Sequence, residues 1–169
     1  MFNFEFISLH GLDKDKRAEK FSVALNWAER AINSEEFELW FLSQVFRQLG
    51  DNYGRTNQEM LALVRRPVIC EYYVVPRPWF KRYSSVVGWT SMIKKFIFSR
   101  GWRDDAVVST YADEFDGMST PGLGGHLTHE IACHGNGFGH SVKWVKDRDL
   151  SQPYLVGNWV TAWITKNIT

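Results

Sequence analysis

The residues of this chain best suited to chemistry lie together in HLTHEIACHGNGFGH, residues 126 to 140, which holds four of its five histidines and one of its two cysteines. Imidazole, thiolate and carboxylate groups at short spacing form the donor set of a zinc ion (Zn2+). Two histidines four apart on an α-helix lie one above the other, so both rings reach one ion. A Glu directly after the first stands beside that ion as a base. The metal lowers the pKa of a bound water and polarises a carbonyl, and the Glu takes the proton of that water.

The stretch nearly spells H-E-x-x-H-x-x-G-x-x-H. His129-Glu130 and His134-x-x-Gly137-x-x-His140 are each intact, but His129 and His134 are five apart rather than four. Five residues of regular α-helix turn through roughly 500°, which leaves the second side chain about 140° from the first. Two repairs are open. A single π-turn absorbs the extra residue and keeps His129, His134 and His140 as ligands. In the other, the helix stays regular and Cys133, fourth after His129, takes the place of His134. A third reading is that the site has been lost. The tail HGNGFGH favours the first repair, because it keeps the second His, the turn glycine and the third His in their usual spacing. A thiolate binds zinc well but offsets part of the metal's charge. Of the other candidates, His126 reads as an exposed or capped histidine at the helix start, with a supporting or alternative ligand role as the sharper option. His10 reads as structural, and Cys70, in the apolar run VICEYYVV, as a buried thiol.

The order GGHLTHE, HGNGFGHS, KDRD, SQPYLVGN resembles the active-site region of metzincin zinc metallopeptidases. It is most similar to small metallopeptidases of bacteria and their phages, in which G-N-L-x-H-E-x-x-H-x-x-G-F-G-H precedes a basic, aspartate-containing turn and then S-V-P-Y-x-x-G. The similarity extends upstream through RYSSVVGWT and NSEEFELWFLSQ. It implies a zincin-like fold, zinc as cofactor, and hydrolysis of a peptide bond in a protein or a cell-wall cross-link, with Glu130 as base. It also implies that Tyr154 lies near the metal, as a fifth ligand or a donor to the oxyanion. The plainer reading of Tyr154 is that it starts the last helix and packs there. Asp147 and Asp149 would orient a liganding histidine or serve as solvated turn residues. One family feature is missing, since Met1, Met60, Met92 and Met118 all precede the motif and no methionine turn follows it.

The elements that must hold this stretch read as helices, then strands, then helices. Phe21, Leu25, Ala28 and Ile32 recur at helical spacing from Lys14 to Ile32, with Asp13 as N-cap. Ser34 caps a second helix whose broad apolar face takes in Phe37, Leu39, Trp40, Phe41, Val45, Phe46 and Leu49 before a stop at Gly50. A third spans Asn57 to Arg66 and is ended by Pro67. Val68–Val75, Ser85–Thr90, Lys94–Phe98 and Ala106–Tyr111 are short β-branched and aromatic runs. They predict a sheet of about four strands built mainly from neighbouring segments. Pro121 to Cys133 and Tyr154 to Lys166 predict the site helix and a final amphipathic helix. The expectation is one α+β domain over residues 1–169, mainly helical in 1–66, with a small twisted sheet and the site and C-terminal helices in 67–169.

Composition bounds the function. With 169 residues, 44% hydrophobic, and Lys+Arg 20 against Asp+Glu 19, the chain can bury one core. That charge balance selects neither nucleic acid nor a polyanionic surface. No run approaches the ~20 apolar residues of a membrane span, and no secretory signal is legible, so a soluble protein made in the cytoplasm is expected. Two cysteines do not make a disulfide framework. Rival classes are an inactive zincin-like binding module and a host-interaction protein whose surface tryptophans mediate contacts.

Overall fold

The computed structural model describes residues 2–12, 15–46, 54–81, 87–97, 101–139 and 151–168. Asp13, Ser85, residues 47–50, His140, Asp147 and Asp149 lie outside them. The order of elements is β1 (Phe4–His10), α1 (Asp15–Asn33), α2 (Glu35–Ser43), α3 (Asn57–Val64), β2 (Val68–Val75), β3 (Gly88–Ile97), β4 (Gly101–Tyr111), α4 (Ala112–Gly117), α5 (Thr120–Leu127) and α6 (Gln152–Asn167). The fold is α+β.

The four strands are ordered β1-β2-β4-β3. β1 runs parallel to β2, and β2 to β4, while β3 pairs antiparallel with β4 from Gly88↔Thr110 to Ile97↔Gly101. This departs from the expected sheet of neighbouring segments, since only β3 and β4 form a hairpin. The described parts of the runs predicted as separate strands at 85–90 and 94–98, residues 88–90 and 94–97, belong to one strand, β3. The first 66 residues also contribute a strand. Phe2 and Phe4 are 1% and 7% exposed, and this alternation lets β1 add to the sheet beside β2, far along the chain.

The helices follow local rules more closely. Ser34 accepts from the Phe37 N–H at 3.1 Å, and Thr56 with Glu59 forms a reciprocal capping box on α3. α2 ends at Ser43 rather than near Gly50. Val45, expected on its apolar face, is 97% exposed. α1 buries Phe21, Ala24, Ala28, Ala31 and Ile32, one stripe at three- and four-residue spacing. Its alanines let α5 approach closely, since a Cβ on Gly124 would lie 3.3 Å from the Ala24 carbonyl oxygen. Phe37 and Phe41 of α2 are fully enclosed, and each such side chain contributes roughly 1.5–3 kcal/mol through burial. The core thus clamps α5 between α1 and α6 on one face of the sheet.

Candidate metal centre

Ser119 caps α5 by accepting from the Gly122 N–H at 3.2 Å, and Pro121 occupies the first turn. The helix does not continue in regular form. Residues Thr128–Cys133 form a π-turn, and the His134 N–H is shared between the carbonyls of Glu130 and His129. The bond to His129, five residues back, is the wider closure that absorbs one extra residue. A 3-10 turn over His134–Asn136 follows, and Gly137 then leaves the helix at φ 85, a left-handed conformation that favours glycine.

The π-turn has a chemical consequence. The rings of His129 and His134 meet with centroids 4.9 Å apart at 75°. From α6, the ring of Tyr154 meets that of His129 with centroids 4.6 Å apart. His134 Nδ1 lies 2.6 Å from the Phe138 carbonyl oxygen. A carbonyl can only accept, so Nδ1 carries the proton and the lone pair of the neutral ring is at Nε2. This is the orientation in which a backbone carbonyl holds a zinc-ligating histidine. Burial lowers the pKa of His134, opposed by that backbone bond. The neutral ring that a metal requires is therefore the stable one.

Cys133 is fully buried, and burial pushes its thiol well above the ordinary range. The regular helix on which its ligand role rests is absent. His140 falls outside the described residues. Among the described residues no group of three His, Cys, Asp or Glu side chains converges as a metal cage. What they hold is the imidazole pair, and its donor chemistry fits zinc.

Glu130 is 6% exposed. Thr90 of β3 donates to its Oε2 at 2.6 Å. Burial raises the carboxyl pKa, and the Thr90 hydrogen bond partly offsets this. Glu130, His129, Tyr154 and His126 line one cavity of about 500 Å³, together with Gly125, Gly157, Glu114, Asn158 and Val87. His134 touches His129 without lining that cavity. At one end of the sheet Arg77 is ion-paired with Asp113 at 2.7 Å and with Glu114. Its guanidinium stacks 4.5 Å from the Tyr111 ring.

Several of these positions were not singled out from sequence. Thr90 has only strand alternation to mark it, and Thr110 and Gly157 have no signal of their own. His126 is not an exposed helix-start residue. It is half-buried in the cavity wall, with Nε2 2.9 Å from Thr110 Oγ1. His10, away from the cavity, stacks on Tyr73 at 4.3 Å. Comparison of the chain with protein-family models, with curated proteins and with solved structures finds no match.

Proposed function

We propose that this chain is a zinc-dependent peptidase of zincin-like fold, with His129, His134 and His140 as metal ligands and Glu130 as general base. The observation that carries the reading is the π-turn. It sets the His129 and His134 rings against each other at 4.9 Å while leaving Glu130 in the adjoining cavity. A π-turn is an uncommon feature that clusters at functional sites. Here it undoes the one defect in the motif.

When bound, zinc would activate a water and polarise the scissile carbonyl. The protein's own groups do the rest. Glu130 accepts the proton of the attacking water, and its raised pKa makes it a stronger base than an exposed carboxylate. Thr90 fixes Oε2, so the other oxygen is the one available for transfer. Tyr154, edge-on to His129, offers a phenol hydrogen to the oxygen that gains charge during attack. β3 is an edge of the sheet among the described residues and lies beside Glu130 through Thr90. A peptide adding to β3 as an extended strand would therefore cross the mouth of the site.

The test is metal content and cleavage on one preparation. Protein purified without added metal should carry roughly one zinc per chain and should cleave members of a quenched fluorescent peptide library. Glu130→Gln should keep the zinc and lose cleavage. Zinc without cleavage would support the inactive binding module. No zinc even after zinc is supplied would overturn the metal centre.

A further inference from the structure

His126 stands one turn before His129 and lines the same cavity, yet the ligand set does not use it. Its Nε2 lies 2.9 Å from Thr110 Oγ1, which in turn lies 2.8 Å from the Tyr72 hydroxyl. Tyr72 and Thr110 are both 0% exposed. Among the described residues, Thr110 is the only hydrogen-bond partner of the Tyr72 hydroxyl.

Counting protons fixes the direction of this chain. If Thr110 donated to Tyr72, the phenol hydrogen would be buried without an acceptor, which is costly. If Tyr72 donates to Thr110, the Thr110 hydroxyl donates onward to His126 Nε2 and both hydroxyl hydrogens are paired. Nε2 is then the acceptor, and the ring proton resides on Nδ1. Burial also pulls the His126 pKa down to about 4, so the ring stays neutral. Gly88 seats the ring, since a Cβ there would lie 3.1 Å from His126 Cε1. Thr110 is the one hydrogen-bond partner of the ring among the described residues, and His126 lines the cavity, so the Nδ1–H is the donor left for a bound group.

A single neutral N–H suits an uncharged oxygen acceptor. Of the carboxyl groups lining the same cavity, Glu114 is ion-paired with Arg77, so it is Glu130, where ionised, that opposes entry of another carboxylate. Building on the peptidase reading, we propose that His126 binds substrate. Its Nδ1–H donates to a backbone carbonyl oxygen, selecting an internal peptide segment over a free C-terminal carboxylate.

The experiment uses histidine-15N-labelled wild-type protein, titrated with acetyl-tetraalanine amide and with acetyl-tetraalanine as the free acid. The His126 nitrogens should report the Nδ1-protonated form from about pH 5.5 to 8, and Thr110→Val should move the proton to Nε2. The amide should shift the Nδ1 resonance and bind about tenfold more tightly than the acid. His126→Phe should lose about tenfold in affinity for the amide, and His126→Asn, which keeps an N–H donor, less than about threefold. For any peptide that is cleaved, the His126→Phe loss should fall on KM rather than kcat. An Nε2-protonated ring, equal binding of acid and amide, or undiminished binding by His126→Phe would each overturn the proposal. Absence of zinc or cleavage with an intact Nδ1 response would remove the peptidase reading and leave the binding role standing. Cleavage without that response would do the reverse.

Discussion

A Cβ placed on Gly125 would stand 2.5 Å from the carbonyl oxygen of Gly157, and one on Gly157 would stand 3.0 Å from the carbonyl oxygen of Gly125. α5 and α6 therefore cross on bare backbone. Tyr154 lies one turn before Gly157, and His129 one turn after Gly125, so this crossing sets their rings 4.6 Å apart. Gly125→Ala should force the helices apart and lower stability by about 1–3 kcal/mol, the usual cost of overpacking. Thermal unfolding should show the loss. A fully stable Gly125→Ala protein would mean that the crossing is not close.

The two repairs of the motif spacing make opposite demands on neighbouring residues. His129→Ala and His134→Ala should each abolish zinc binding in metal analysis. Cys133→Ser should retain zinc while losing about 1–3 kcal/mol of stability, because a hydroxyl replaces a fully buried thiol. Deleting Cys133 gives H-E-I-A-H and should also retain zinc, since a regular helix then presents both imidazoles. Loss of zinc in Cys133→Ser with retention in His134→Ala would reverse the ligand assignment.

As the proposed base, Glu130 should make activity depend on pH in a defined direction. A base must be unprotonated, so kcat/KM falls as pH drops through its folded pKa. Burial sets that limb above the ordinary carboxylate value of about 4.3. The Thr90 hydrogen bond favours the charged form, so Thr90→Val should move the limb further upward. A limb that stays put or moves to lower pH would contradict this.

The same shift has a stability counterpart. The folded pKa of Glu130 lies above its unfolded value, so the folded state holds the proton better. Stability present in acid is then lost as pH rises from the unfolded pKa through the folded one. Ionised Glu130 is a cost at neutral pH, and Glu130→Gln should raise the melting temperature of metal-free protein at pH 7. That gain should shrink below about pH 4. A variant less stable than wild type at pH 7 would show that burial is not what raises the pKa.

Tyr154→Phe separates catalysis from packing. The ring contact with His129 survives and the hydroxyl is lost, so zinc content and melting temperature should hold while kcat falls by about 10²-fold, as when an oxyanion donor is removed. Unchanged kcat would return Tyr154 to a purely packing role.

Much was legible in the sequence because its causes are local. The cap at Ser34, the start of the third helix at Asn57, the strand Val68–Val75 and the last helix follow from side-chain type and period over a few residues. The misfit between His129 and His134, and a π-turn as one cure for it, followed from helix geometry alone. Local patterns could not place β1 beside β2, because α1, α2 and α3 lie between them in the chain. Nor could they join two predicted strands into β3.

What the sequence by itself determined was a set of chemical groups and their order: His129, Glu130 and His134 on one helical turn, with Tyr154 on the next helix. Tertiary structure decided between the π-turn and the regular helix, because the choice depends on the neighbours that pack around that turn. The π-turn keeps Glu130 against Thr90, brings His129 to Tyr154 and buries Cys133. The packing of α5 on the sheet also placed His126 at the end of a hydrogen-bonded chain through the buried Thr110 and Tyr72. Tyr72 and Thr110 meet His126 only through the parallel pairing of β2 with β4 and the packing of α5 on the sheet, and no spacing along the chain encodes those contacts.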